Sequence, residues 1–277
     1  MSKCSCCGEE VGSAKVCPIC GSTVVAKAPQ TQTTVTGGSG NILQEIEKAK
    51  IKMIEDCGKS VTKIWVRNSD GAASGTGWRG HNDYIITNAH VVEGDNEDTY
   101  SRNVECEFSD KLKLGSRQRI KMNVVYYSRV EDIAILKPQS GTIPSEVPTL
   151  KITDVPTKQG EMVFTICNPL HYKFTYTEGA VANPDYKRSG SKAKFDSLQT
   201  TLTLNSGNSG GPVFNAKGEI VGMATYSELQ AQVDQVIDPL AILNGGDLLT
   251  EKTSYTEIMG YGFCVKSEAI LAAIRSI

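Results

Sequence analysis

The chain has 277 residues, 39% of them apolar, which is enough to bury a sizeable core. Its 29 lysines and arginines against 31 acidic residues leave a formal charge of -2, which excludes the strong positive field that gathers nucleic acid or anionic lipid. The N-terminus lacks the apolar centre of a signal peptide and no apolar run is long enough to cross a bilayer, so a cytoplasmic protein with neither a membrane nor a nucleic-acid partner is expected.

Cys4, Cys6, Cys7, Cys17 and Cys20 crowd the start of the chain, while Cys57, Cys106, Cys167 and Cys264 stand alone, a distribution unlike a secreted disulfide framework. The N-terminal cysteines form two CxxCG knuckles. Cys4, Cys7, Cys17 and Cys20 keep a two-residue gap within each knuckle and suit a closed tetrahedral Zn site of structural type, leaving Cys6 as a spare thiol. A ribbon this small has almost no core, so metal binding, worth about 10–16 kcal/mol in comparable zinc peptides, must supply most of its folding free energy. Lys3 and Lys15 against Glu9 and Glu10 make a poor phosphate footprint, so a partner protein is the expected ligand of a ribbon over 1–24. Residues 25–40 are rich in threonine, glycine and small polar side chains and read as a flexible linker.

From residue 41 a globular domain is expected to run to 277. Ile42, Ile46, Ala49, Met53, Ile54 and Cys57 recur at helical spacing behind Ser39 or Asn41 as a cap, giving one amphipathic helix with a docked apolar face. From Val61 short β-rich runs alternate with Gly, Asn and Asp turns, the pattern of a sandwich or barrel. The stretch 226–260 is expected to hold a short helix carrying Leu229, Val233, Val236, Ile237 and Leu240. A last helix follows a Ser267 cap, with Ala269, Ile270, Ala273 and Ile274 on its apolar face.

The chemistry is concentrated in Leu-Asn-Ser-Gly-Asn-Ser-Gly-Gly-Pro-Val-Phe, residues 204–214. Gly207 and its neighbours can adopt backbone angles that aim successive amides at one point, so Ser209 would stand beside its own oxyanion hole. A serine hydroxyl needs a base. Of three histidines, His90 ends an apolar run, Tyr-Ile-Ile-Thr-Asn-Ala-His, whereas His81 and His171 sit in polar loops. Asp132 opens the apolar run Asp-Ile-Ala-Ile-Leu-Lys and supplies a carboxylate to orient the imidazole.

The order His90, Asp132, Ser209 resembles the trypsin-like superfamily and, within it, the HtrA/Deg proteases. That resemblance spans about 48–277 and includes S-G-T-G-W, T-N-A-H-V-V, D-I-A-I-L-K, N-P-L-H, E-G-A-V-A-N, G-N-S-G-G-P-V, G-E-I-V-G and G-F-C-V. It implies a mainly β fold of two Greek-key barrels flanked by N- and C-terminal helices, a serine endopeptidase acting on protein or peptide substrates, no cofactor for catalysis, and a homo-oligomer, by family habit a trimer. The pocket for the substrate residue before the cleaved bond would lie near Thr203, Leu204, Met223 and Thr225. No acidic residue marks its floor, so small or medium apolar side chains are expected there.

Departures from the HtrA pattern are equally legible. Cys167 stands where the family usually has glycine, the 226–260 segment is long, and the PDZ domain that HtrA proteins usually carry is not expected; Asn208, where digestive relatives have aspartate, is by contrast shared with HtrA-like enzymes. The competing reading is a catalytically silent protease-fold scaffold or chaperone-like binder, although all three triad roles have occupants.

Overall fold

The computed structural model describes residues 2–3, 10–12, 39–69, 71–96, 99–170, 172–187, 197–237 and 249–277. The chain divides into two compact units, Met1–Lys48 and Ala49–Ile277. In the first unit, strands β1 (Ser2–Lys3) and β2 (Glu10–Gly12) pair antiparallel. The predicted zinc ligands Cys4, Cys7, Cys17 and Cys20, the spare Cys6 and the linker at 25–38 lie outside the described residues.

Helix α1 (Ser39–Gly58) belongs to both units. Its C-terminal end behaves as the apolar spacing predicts: Cys57 is buried, and Met53 and Ile54 pack beside it against the larger core. The N-terminal end differs, for Ile42 and Ile46 are exposed rather than docked.

The larger unit contains two closed six-stranded antiparallel barrels. The first consists of β3 (Val61–Asn68), β4 (Gly71–His81), β5 (Tyr84–Thr87), β6 (Val104–Phe108), β7 (Arg119–Ser128) and β8 (Ile133–Pro138), in the order β3-β4-β5-β8-β7-β6. The second consists of β9 (Met162–Cys167), β10 (Thr175–Tyr186), β11 (Ser197–Thr200), β12 (Pro212–Asn215), β13 (Ile220–Ile237) and β14 (Leu249–Lys266), in the order β10-β11-β14-β13-β12-β9. Renumbering one onto the other gives the same path. In each, the fourth strand returns to lie beside the first, the Greek-key connection that the family resemblance implies.

Period-2 alternation explains why these strands are apolar on both faces. Ile85, Ala134 and Leu136 fill the first barrel, while Ile86, Ile133 and Ile135 point outward into a second core at the seam between barrels. That seam also takes Val61 and Trp78 from the first barrel and Phe164, Phe214, Ile220 and Met223 from the second. Phe164 and Phe214 stack there with centroids 4.7 Å apart. The closing helix α2 (Ser267–Arg275) buries Ile270 and Ala273 in the same seam, tying the chain end to both barrels. Ser267 is its first helical residue and Lys266 occupies the cap position, so the predicted serine cap is not used.

The expected helix in 226–260 is corrected. β13 and β14 continue past the barrel as a two-stranded ribbon, paired from Leu229↔Glu257 to Ile237↔Leu249. Leu229 and Val233, two of the residues that suggested a helix face, are an even number of positions apart and so suit one face of a strand as well, and the pairing partner supplies the backbone hydrogen bonds. Leu240 lies outside the described residues.

Candidate active site

His90 opens a single 3-10 turn (His90–Val92) directly after β5, anchored because Val91 and Val92 are buried in the first barrel. Asp132 sits one residue before β8 with φ 53°, a left-handed conformation that aspartate tolerates better than most residues because its short side chain can bond locally. Here that side chain reaches across to His90. The Asp132 carboxylate accepts from His90 Nδ1 at 3.0 and 2.9 Å, and Oδ1 also accepts from the His90 backbone N–H at 3.1 Å. A carboxylate can only accept, so Nδ1 carries the proton and Nε2 keeps its lone pair when the ring is neutral.

The Asp132 side chain is 14% exposed and that of His90 43%. Crowding on the protein side of the ring lowers the His90 pKa, but the hydrogen bond and charge of Asp132, with a further contribution from Glu93, outweigh it and hold the imidazole above its ordinary value of 6.5.

Ser209 stands on the loop between β11 and β12. Asn208 N–H donates to the Asn205 carbonyl at 2.9 Å, with Gly207 at φ 94° in the third position, as a type II turn requires. Gly207 is needed for a second reason: a Cβ there would lie 2.4 Å from the Asn168 carbonyl. At Gly210, φ 83°, a Cβ would lie 2.1 Å from the Thr76 carbonyl, so the nucleophile loop is pressed onto β4 of the other barrel.

The orientation of the peptide between Ser206 and Gly207 decides whether an oxyanion hole exists. The Ser206 carbonyl accepts from Leu170 N–H at 2.8 Å. In a trans peptide, C=O and N–H point in opposite directions, so the Gly207 N–H is turned away from Leu170. The Gly207 carbonyl is fixed in turn by the Thr76 hydroxyl, which donates to it at 2.7 Å. The neighbouring Ser209 carbonyl accepts from Thr76 N–H at 2.9 Å.

Sequence reasoning missed the groups that connect the two halves. Asn88 Nδ2 donates to the Asp132 carbonyl at 2.9 Å and to Thr225 Oγ1 at 3.1 Å. The Thr225 carbonyl accepts from Ser209 Oγ at 3.0 Å. Ser209 and the His90–Asp132 pair are therefore linked through Thr225 and Asn88, and the serine hydroxyl is turned to Thr225. Asn88, Thr76, Asn168 and Leu170 are ordinary residues in sequence; the Asn-Ala-His and Asn-Pro-Leu motifs flag two of their surroundings without saying what the side chains hold.

Of the predicted specificity residues, Thr203 is exposed and Leu204 is buried against Gly262, where a Cβ would lie 2.7 Å from Leu204 Cδ1. Met223 is fully buried in the seam core with Trp78, Phe214 and Val265, which corrects its placement on the cleft wall. Thr225 is buried and engaged with Ser209 and Asn88. Asn208 is buried too, its amide donating to the Thr203 carbonyl at 3.3 Å. Cys167 packs beneath the nucleophile loop, close to Gly211, and burial pushes its thiol up to about 12, as an inert core residue. His81 is exposed beside Asn82, and His171 lies outside the described residues. Among the described residues no cluster of His, Cys, Asp or Glu could hold a metal ion, and no helix is long and apolar enough to cross a membrane.

Comparison with known proteins agrees with this architecture. A probable periplasmic DegP-like serine endoprotease of Pseudomonas savastanoi is 31% identical over 145 residues, covering 50% of this chain and 26% of its own. The Do-like serine protease HtrA of Lactococcus lactis is 25% identical over 201 residues, 70% of this chain and 41% of its own. The match thus spans about a quarter of the first curated relatives' length. A Mycobacterium tuberculosis protease solved in its active form superposes with a TM-score of 0.58 at 21% identity, covering 91% of this chain and 94% of that one, which shows the shared fold. The cytoplasmic expectation is overturned by these names, since the first relatives are periplasmic endoproteases. Residues 73–223, more than half of the chain and including His90, Asp132 and Ser209, match the trypsin-like peptidase domain, and the chain belongs to that family.

Proposed function

We propose that the chain is a serine endopeptidase of HtrA type, with Ser209 as nucleophile, His90 as general base and acid, and Asp132 as the group that orients the imidazole. The observation that carries the reading is the locked His90 ring: three hydrogen bonds of 2.9–3.1 Å to one carboxylate leave Nε2 free to take a proton. In the reaction Ser209 Oγ bonds to the peptide carbonyl carbon as its proton passes to His90 Nε2. The tetrahedral oxyanion is received by the Gly207 and Ser209 N–H groups, His90 protonates the departing amine as the C–N bond breaks, and water repeats the sequence on the acyl-enzyme. Ser209 must first leave the Thr225 carbonyl, a rotation of about 120° between staggered rotamers.

A fluorophosphonate probe should label Ser209, and casein cleavage should fall by about 10⁶-fold in Ser209→Ala. A folded wild type that neither reacts nor cleaves would leave the scaffold reading, which the Ser209–Thr225 hydrogen bond favours over a charge-ready triad. For specificity, the residues expected at the pocket, Thr203, Leu204, Met223 and Thr225, include no acid, which supports small or medium apolar side chains before the cleaved bond, and a strong preference for arginine would refute this. The N-terminal Cys4, Cys7, Cys17 and Cys20 are proposed to hold one structural zinc and to recruit a partner protein; one equivalent of zinc per chain by elemental analysis, lost in Cys17→Ser, is the expected result. The HtrA likeness also supports a homo-oligomer, a trimer by light scattering.

A further inference from the structure

Glu107 lies on β6 of the first barrel, paired with Lys63 on β3 and Arg119 on β7, so a carboxylate stands between two cations on the outer barrel face. Its side chain is only 8% exposed and takes three donors: Trp65 Nε1 at 2.6 Å, Arg119 at 2.7 Å, and the Lys173 ammonium. Lys173 comes from elsewhere. It sits in the loop between β9 and β10 of the second barrel, the loop whose Leu170 N–H turns the Ser206–Gly207 peptide.

The rest of that loop is bound at its base. Asn168, fully buried, donates from its backbone N–H and from Nδ2 to Thr76 Oγ1 and from Nδ2 to the Thr62 carbonyl, and its Oδ1 accepts from Phe174 N–H at 3.1 Å. Asn168 thus clasps both the start of the loop and Phe174 at its end; Leu170 and Phe174 carry left-handed φ values of 51° and 53°, and Lys173, beside Phe174, adds a hold from the other barrel. Burial pushes the Glu107 carboxyl up, but the Lys173 and Trp65 hydrogen bonds and the charges of Lys173 and Arg119 outweigh it, so the Glu107 carboxyl stays charged at neutral pH.

We propose that Lys173 and Glu107 are positioning residues: their ion pair ties the 168–174 loop of the second barrel to the wall of the first, and so keeps the Gly207 N–H aimed into the oxyanion hole. The inference rests on the proposed serine-peptidase reading and names how its site is held in working shape. Neither side chain touches the reacting atoms, so its loss should lower kcat and leave KM unchanged.

The test compares wild type, Lys173→Met, Lys173→Arg, Glu107→Gln and the double variant by fluorophosphonate labelling rate, peptide kcat and KM, and Tm. A wild type that fails to label refutes the peptidase reading itself and is seen before any variant is compared. With a reactive wild type, the expected result is a fall in labelling and kcat of up to about 10²-fold in Lys173→Met, the size of one lost oxyanion donor, with KM unchanged and the rate restored in Lys173→Arg. Because Glu107→Gln removes the same tether, the double variant should cost no more than the worse single variant. Wild-type rates in Lys173→Met, a rise in KM instead, or additive losses in the double variant would each overturn the tether.

Discussion

The two halves of the site are built on different terms. His90 and Asp132 both come from the first barrel, on neighbouring strand ends, and their hydrogen bonds close within that barrel. The Ser209 loop belongs to the second barrel and is shaped partly within it, by Leu170 at the Ser206 carbonyl, and partly from outside, through Thr76 of β4 at the Gly207 and Ser209 carbonyls. The base is thus assembled when one barrel folds, whereas the nucleophile and its oxyanion hole are assembled when two barrels dock. Errors of docking should therefore fall chiefly on the second half, reaching the first through the Asn88–Thr225 contact.

The largest test of this division is Asp132→Asn. It should lower kcat/KM by about 10⁴-fold because the imidazole loses its orienting charge, while the Ser206–Gly207 peptide stays as it is. The same variant sharpens the electrostatic argument. His90 must be neutral to accept a proton, and its pKa is raised, so the acid limb of kcat/KM should have its midpoint above 6.5 and activity should rise as pH increases through it. Without Asp132, the lowering by burial meets less opposition, and the His90 ring titration followed by NMR should move to lower pH.

Gly207→Ala attacks the other half. A side chain at φ 94° and 2.4 Å from the Asn168 carbonyl forces the turn open, and loss of the Gly207 donor should reduce kcat by about 10²–10³-fold with the His90 titration unmoved. If the ring titration shifts as well, the two halves are not separable in the way described.

Thr76→Val is the smallest change and the most direct probe of docking. It deletes one buried hydroxyl that accepts from Asn168 and donates to Gly207, leaving buried polar groups unpaired at a cost of about 1–3 kcal/mol. Urea unfolding should show that loss, and peptide kinetics should show a lower kcat at unchanged KM; a variant losing stability with full kcat would make Thr76 a packing residue only.

Much of this was readable before any fold was known, and for identifiable reasons. The triad positions lie in motifs whose residue types are demanded by chemistry, and the barrels follow from short apolar runs split by turn residues. The 226–260 segment misled because Leu229, Val233, Val236 and Ile237 fit a helical stripe nearly as well as a strand, and only pairing with Leu249–Glu257 distinguishes the two. Met223 misled similarly: a strand residue beside the nucleophile loop can face cleft or core, and the neighbouring Phe214 and Val265 assign it to the core.

What the sequence determined by itself is therefore the inventory of reactive groups and the local shapes that present them, because glycine angles, strand alternation and hydroxyl chemistry are properties of short segments. What only the tertiary structure decided is which acceptor each donor faces: the Leu170 N–H the Ser206 carbonyl, the Thr76 hydroxyl the Gly207 carbonyl, the Lys173 ammonium the Glu107 carboxylate. Those partners are separated along the chain, and a hydrogen bond depends on distance and direction in space, which no residue carries alone.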